Sequence, residues 1–157
     1  MTCPETPRVP SQRTPAGSCA VPLELRAVVC PGITVSVAAC LRYDPAEPYA
    51  VYLDNHTDLD EPITWMFARD LLAAGMDARA GTGDVSVHPG TGATAQTLFI
   101  ALGGENGTVV LRAEAASVRA FLAATERIVP FGSEPGHLDL DGLLHRLLEE
   151  RPPEPDR

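Results

Sequence analysis

The chain has 157 residues, of which 45% are hydrophobic, and its mean hydropathy is +0.00, a composition typical of a globular protein with one domain. Its net charge is −9 and its basic side chains are scattered Arg residues without any Lys, which argues against binding nucleic acid through a positive surface. Neither a membrane-spanning run nor a signal peptide is present, so the sequence predicts a cytoplasmic protein without membrane insertion.

The two ends of the chain differ in composition from the part between them. Residues 1–20 contain four prolines among Ser, Thr and Arg, with few apolar side chains to bury. Residues 151–157 contain three further prolines and are otherwise charged. We therefore expect a disordered leader at 1–20, one ordered domain at 21–150 and a disordered tail at 151–157.

The four cysteines form no Cys-x-x-Cys pair and have no His at metal-ligand spacing. They are Cys3, Cys19, Cys30 and Cys40. This pattern favours reduced thiols in a cytosolic protein. A bridge between Cys30 and Cys40 across a hairpin stays open as an alternative.

Alternating apolar residues predict the first half of the domain to be four strands and a short helix. The first two strands start near Val21 and flank a Pro31-Gly32 turn. In the third strand, Tyr49, Val51 and Leu53 share one face. In the fourth strand, Ile63, Trp65 and Phe67 share one face. We expect Trp65 to belong to the core, and we expect Gly75 to end the helix in the left-handed conformation.

The sequence pattern predicts three strands and two helices in the second half of the domain. Gly81-Thr82-Gly83 precedes a strand and is followed by no Lys at Walker spacing, so we interpret it as a turn and not a phosphate-binding loop. Two further strands flank an Asn106-Gly107 turn, and the first of them is apolar on both faces. Helical spacing then relates Val118, Phe121, Leu122 and Thr125, and after a predicted N-cap at Asp139 it relates Leu140, Leu143, Leu144 and Leu147.

The predicted order of elements is therefore ββββαβββαα, which suits an α+β domain built on antiparallel strands.

No catalytic or metal-binding pattern stands out. His137, Asp139 and Asp141 alternate along the chain, but a helix cap explains the aspartates equally well. The acidic segment around His56 lacks the spacing of a Ca²⁺ loop, and we interpret it as a solvated loop; its members are Asp54, Asp58, Asp60 and Glu61. No Gly-x-Ser-x-Gly nucleophile elbow occurs.

Four sequence segments follow one another along the chain in an order and at a spacing that are characteristic of a known family. They are Leu41 to Asp44 with Glu47 to Val51, Trp65 to Leu72, Gly81 to Val85, and Phe121-Leu122 with Pro130, Gly132 and Glu134. Together they resemble the SsgA-like family of sporulation and cell-division regulators from filamentous, spore-forming actinomycetes. The resemblance covers about Leu23 to Leu148; the Pro-rich leader and His88, where a Trp is expected, depart from it.

The resemblance implies a whirly-like α+β fold with a seven-stranded, barrel-like antiparallel sheet and about three helices. It also implies a non-enzymatic protein that forms a homotrimer, uses no cofactor and is concentrated at division septa. Its partners would be the tubulin-like division protein FtsZ or other septal and cell-wall proteins. No catalytic residue is transferred by the resemblance.

These observations predict a protein-interaction module that marks septum sites or recruits division machinery. The partner-facing surface is expected in the acidic loop and on the last helix, at Asp54, Asp58, Asp60, Glu61, Leu144 and Leu147. The alternatives are a whirly-like protein that binds single-stranded nucleic acid by base stacking, and a hydrolase of wall material, for which no carboxylate pair is located.

Overall fold

The computed structural model describes residues 17–57 and 60–150, and in this part of the chain the elements follow the predicted order. The strands are β1 (Cys19–Cys30), β2 (Ile33–Tyr43), β3 (Ala50–His56), β4 (Ile63–Ala68), β5 (Val85–Pro89), β6 (Thr97–Gly104) and β7 (Gly107–Glu114). The helices are α1 (Arg69–Gly75), α2 (Ala115–Ile128) and α3 (Leu140–Glu149), with 3₁₀ turns at Gly92–Thr94 and Glu134–His137.

Both predicted tails fall largely outside the described residues. Residues 1–16 of the predicted leader and the whole predicted tail at 151–157 lie there, as does Asp58. The domain begins slightly earlier than predicted, because Cys19 and Ala20 already pair with Tyr43 and Arg42 in the first ladder.

All seven strands form one antiparallel sheet in the order β4-β3-β2-β1-β7-β6-β5. Helix α1 contacts both β4 and β5, which are the two edge strands. A flat sheet of seven strands would place its edges roughly 29 Å apart at 4.8 Å per strand, so the sheet must curl for one short helix to reach both. The predicted α+β fold with a barrel-like antiparallel sheet is confirmed.

Helix α2 fills the concave face of this half-barrel and contacts β1 and β7 at its centre. The predicted face of α2 is confirmed, since Val118, Phe121, Leu122 and Thr125 are all buried. Burying one such apolar side chain fully contributes about 1.5–3 kcal/mol. Against it pack the inward rows of the strands, including Leu25, Leu41, Leu53, Val87, Leu98, Ile100 and Leu111.

The predicted strand faces are largely confirmed. Trp65 is half-buried and packs against the core, as expected. On β6, Leu98 and Ile100 face the core while Phe99 lies on the other side, only partly covered. The β6–β7 turn closes through Gly107, whose φ of 114° is the left-handed backbone that the Asn-Gly pair predicted.

One local expectation is wrong, and one open alternative is ruled out in favour of the expected free thiols. Gly75 does not adopt a positive φ; it is the last residue of α1 and lies against Val87 of β5, so closely that a Cβ there would overlap the valine side chain. Cys30 and Cys40 do not form a bridge and are both free thiols. The register separates them, because Cys30 pairs with Ile33 at the hairpin tip and Cys40 pairs with Pro22 near the other end.

None of the helices in the described residues is long and apolar enough to cross a membrane.

Candidate interaction surfaces

Asp54 is the first residue of the predicted acidic loop, but the structure places it within β3. The Arg42 guanidinium forms a bidentate pair with its carboxylate: Nε donates to Oδ2 and Nη2 donates to Oδ1 at 3.1 Å. Thr64 on β4 also donates to Oδ1, at 2.6 Å. The Asp54 side chain is only 10% exposed, so the prediction that it belongs to an exposed partner-facing loop is wrong.

The physical reason is cross-strand register. Asp54 pairs directly with Cys40 on β2 and with Thr64 on β4. Arg42 lies two positions along β2 from Cys40. Hydrogen bonds from Arg42 and Thr64 lower the pKa of Asp54 and keep it charged. The Arg42 guanidinium also lies 5.0 Å from the ring centroid of Tyr52. Asp54 therefore joins three strands and is not available to bind a partner.

The acidic loop that remains exposed consists of Asp60 and Glu61, which lie between β3 and β4. His56, at the end of β3, is exposed as well. In the part of the chain that the structure describes, no group of three His, Cys, Asp or Glu side chains could hold a metal ion. Asp60 and Glu61 thus provide solvent-facing negative charge next to an edge strand.

Helix α3 presents the most prominent apolar surface. Asp139 is its N-cap, as predicted, and its Oδ1 accepts a hydrogen bond from the Gly142 backbone N–H at 2.9 Å. Its apolar side chains share one face but are 45–72% exposed, and we call them the leucine stripe: Leu140, Leu143, Leu144, Leu147 and Leu148. An amphipathic helix gains little stability until such a face is covered, so the stripe is suited to binding another protein surface.

A second uncovered apolar surface lies at the tip of the β1–β2 hairpin. Ile33 and Val35 continue the inward row of β2, and Val109 continues that of β7, but α2 does not cover this end of the sheet. We call the exposed group the hairpin-tip patch: Val29, Ile33, Val35 and Val109, which are 49–64% exposed. The sequence predicted these strands but gave no sign that this end is open.

A third feature lies on the outer face of the sheet, where the side chains of His88, Phe99 and Arg112 form a row across β5, β6 and β7. The His88 and Phe99 rings stack with centroids 5.0 Å apart and an interplanar angle of 8°. The Arg112 guanidinium lies 5.5 Å from the centroid of the Phe99 ring. Arg26 on β1 is the direct cross-strand partner of Arg112. A groove of about 490 Å³ beside them is lined by Glu24 and Glu114 as well as these arginines, so its charge is balanced.

The most elaborate polar contact in the protein interior was not predicted. Arg69, the first residue of α1, is fully buried and donates from Nη1 to the Val129 carbonyl oxygen at 2.7 Å. Its Nη2 donates to Oε1 of Glu134 at 2.5 Å. The guanidinium lies 5.0 Å from the Tyr43 ring centroid and 4.2 Å from that of Phe131.

Glu134 completes this contact from the connector between α2 and α3. Its Oε2 accepts a hydrogen bond from the Gly132 backbone N–H at 2.8 Å. Hydrogen bonds from its own backbone N–H, from Arg69 and from Gly132 lower the pKa of the Glu134 carboxyl. The pair fixes the start of the connector against the Tyr43 end of the sheet.

Comparison with known proteins identifies the family. The family model described as Streptomyces sporulation and cell division protein, SsgA, matches residues 37–134. Sporulation-specific cell division protein SsgB of Streptomyces coelicolor is 44% identical over 128 residues, which cover 82% of this chain and 93% of that protein. SsgB of Frankia casuarinae is 40% identical over 126 residues, covering 80% and 88% respectively.

Two solved structures share the fold. One comes from a study of SsgB mutations that correlate with longitudinal cell division during sporulation of Streptomyces coelicolor. It has a TM-score of 0.72 and 42% sequence identity, covering 76% of this chain and 94% of that chain. The SsgA-like sporulation-specific cell division protein of Thermobifida fusca has a TM-score of 0.74 and 32% identity, covering 83% and 95%. The extent of these matches supports a role in cell division during sporulation, and the chain belongs to the SsgA family of sporulation and cell division proteins.

Proposed function

We propose that this protein acts in sporulation-specific cell division as a non-enzymatic interaction module. It assembles as a homotrimer, is concentrated at division septa, and marks septum sites or recruits division machinery such as FtsZ. Family membership supports the process, and the exposed surfaces of the domain support the mode of action.

The observation that carries the proposal is the leucine stripe. Five leucines on one face of a ten-residue helix are 45–72% exposed, while the same helix has a well-formed N-cap. A capped amphipathic helix with an open apolar face is a common protein-recognition element. The fold thus presents an exposed amphipathic helix beside the curled sheet, which supports the proposed binding of a protein partner.

The acidic loop supports a separate contact with a protein partner. Asp60 and Glu61 are exposed at an edge of the sheet, and their charge is free to attract a basic surface. Such charges contribute mainly to association rate and specificity, so this contact should weaken at high salt.

The proposal is tested by co-sedimentation with purified, polymerised FtsZ, together with a tagged pull-down from sporulating cells probed for FtsZ and septal proteins. We expect the protein to pellet with FtsZ polymers, and a fluorescent fusion to form bands at septa. A protein that stays in the supernatant, catches no septal protein and is spread evenly through the cell would contradict the proposal.

A second function, binding of single-stranded nucleic acid, is favoured by one observation: the stacked His88 and Phe99 rings beside Arg112 form a platform on which a base could stack. The balanced charge of the adjoining groove and the net charge of −9 oppose it. A salt-sensitive mobility shift of a single-stranded oligonucleotide, abolished by Phe99→Ala, would establish this alternative. We expect no shift.

A further inference from the structure

Two arginines lie side by side on the outer face of the sheet, where β1 and β7 pair. Arg26 and Arg112 are direct cross-strand partners, so their side chains leave the sheet next to each other on the same face. Like charges in directly opposite positions of an antiparallel pair destabilise the sheet. Even in a chain with a net charge of −9, this local pair of positive charges therefore calls for a negative charge close to it.

Residues 17–57 and 60–150, which the structure describes, do not supply that negative charge. None of the ion pairs within them includes either arginine. Among the same residues, the two guanidiniums make one side-chain hydrogen bond, from Nη1 of Arg26 to the Thr34 hydroxyl oxygen at 3.4 Å. Both arginines therefore have N–H donors to offer to a ligand.

The two glutamates of the adjoining groove do not neutralise the arginines. Glu24 lies two positions from Arg26 on β1, and its Oε1 accepts a hydrogen bond from the Ser36 hydroxyl group at 2.7 Å, which holds the carboxylate toward β2. Glu114, the last residue of β7, has no ion pair with any described residue. The groove of about 490 Å³ thus keeps its positive and negative groups apart, although its overall charge is balanced.

The Arg112 guanidinium is held in place by stacking. It lies 5.5 Å from the centroid of the Phe99 ring, which stacks in turn on His88 with centroids 5.0 Å apart. The Thr34 hydroxyl group restrains Arg26. A restrained guanidinium loses less conformational freedom on binding a ligand, so both arginines are suited to bidentate recognition.

We propose that Arg26 and Arg112 together bind a carboxylate group. The planar fork of a guanidinium matches the two oxygens of a carboxylate, and one such group between the arginines relieves their mutual repulsion. Glu24 and Glu114 disfavour a ligand with more negative charge, such as a phosphate dianion. The site uses no residue of the leucine stripe or the acidic loop and does not rest on the proposed function. Its carboxylate comes from a small organic acid or from an acidic side chain of another protein.

The first test follows the arginine Nε–H signals by NMR in the isotope-labelled full-length protein. Sodium acetate is the probe, and sodium chloride at the same ionic strength is the reference for screening. We expect the signals of Arg26 and Arg112 to shift saturably with acetate but not with chloride. The signal of Arg119, an exposed arginine of α2, should stay unchanged. Equal shifts at Arg119, or no saturable shift at the pair, would overturn the site.

A substitution tests whether the two arginines act together. Arg26→Gln removes one fork, and because hydrogen bonds to charged groups are strong, the affinity of the remaining Arg112 for acetate should fall about tenfold or more. Arg119→Gln is the matched control and should bind acetate as the wild type does. Both substitutions change exposed side chains, and circular dichroism checks that the fold is kept. An affinity that Arg26→Gln leaves unchanged would contradict a shared site.

Thermal melts at low salt provide a second readout, because repulsion between the arginines lowers the stability of the ligand-free protein. Without acetate, Arg26→Gln should therefore melt no lower than the wild type. Acetate should raise the melting temperature of the wild type and of Arg119→Gln more than that of Arg26→Gln, because a ligand stabilises only the state that binds it. An Arg26→Gln protein that melts lower without acetate, or an equal rise in all three proteins, would argue against the proposal.

Two further probes, a peptide of glutamate residues and inorganic phosphate, identify the source and the class of the ligand. If the carboxylate comes from another protein, the peptide should bind at about tenfold lower carboxylate concentration than acetate, because its neighbouring carboxylates raise the effective concentration. Equal affinity per carboxylate indicates a small acid instead, and both results support the carboxylate site. Phosphate that binds more tightly than acetate would overturn the assignment to a carboxylate.

Discussion

Arg69 and Glu134 form a buried ion pair although 65 residues separate them, with Nη2 and Oε1 2.5 Å apart. The pair joins the β4–α1 junction to the connector before α3. Tyr43 and Phe131 on either side of the guanidinium exclude water from it, and the Val129 carbonyl accepts a further hydrogen bond. The buried Arg69 side chain thus anchors the start of the connector that leads to α3.

Arg69→Ala should therefore be one of the most damaging single substitutions in the chain. Removing one partner of a buried pair leaves the other charge unpaired, and we expect the free energy of unfolding to fall by about 3 kcal/mol or more. Urea denaturation followed by circular dichroism measures this change. Arg79→Ala, at an exposed position, is the control and should change stability by no more than about 0.5 kcal/mol. Equal effects of the two substitutions would contradict the role assigned to Arg69.

Asp54 should make stability depend on pH in acid. Its pKa is lowered in the folded state by Arg42 and Thr64, so the unfolded state binds a proton more readily. Its contribution is therefore complete above the ordinary Asp pKa, near 3.8, and is lost as the pH falls through the folded-state value. Glu134 contributes with the same sign, so the wild-type curve alone does not separate the two carboxyls.

Asp54→Asn isolates this contribution. The variant should be less stable than the wild type at pH 7, and the difference in melting temperature should shrink as the pH is lowered from 6 towards 3. Thermal melts across this range measure the difference. A gap that stays constant with pH would show that the Asp54 charge does not contribute to folding.

Gly75→Ala tests the close packing of α1 on β5. An added Cβ would overlap the Val87 side chain, and overpacking of this kind costs about 1–3 kcal/mol. Gly83→Ala is the control, because a Cβ there meets nothing within 4 Å. A loss at Gly83 as large as at Gly75 would argue against the steric explanation.

Charge reversal of the acidic loop tests its role in partner binding. Asp60→Arg with Glu61→Arg should weaken the proposed binding to FtsZ, most clearly at low salt, and should leave the molar mass of the protein assembly unchanged. Co-sedimentation and light scattering measure the two properties. Unchanged binding at low salt would remove the loop from the binding surface.

The sequence determined the elements, because alternating and helical periodicities depend only on which face of each element must be buried. The burial of Val118, Phe121, Leu122 and Thr125 and the capping of α3 by Asp139 were predictable from neighbouring residues alone. The motif segments identified the family as well. The periodicity and the motif segments can both be read from residues that are close together in the sequence.

The tertiary structure decided which partners the polar residues contact and which apolar residues remain exposed to solvent. Asp54 looked like a loop charge until strand register placed Arg42 and Thr64 beside it, and Arg69 found its partner only across 65 residues. The stripe on α3 was predicted as a stripe, but periodicity does not reveal whether a face is covered. Whether a face is covered depends on where the other elements end; α2, for example, does not cover the hairpin tip. It also depends on distances between elements that are set only when the sheet has curled.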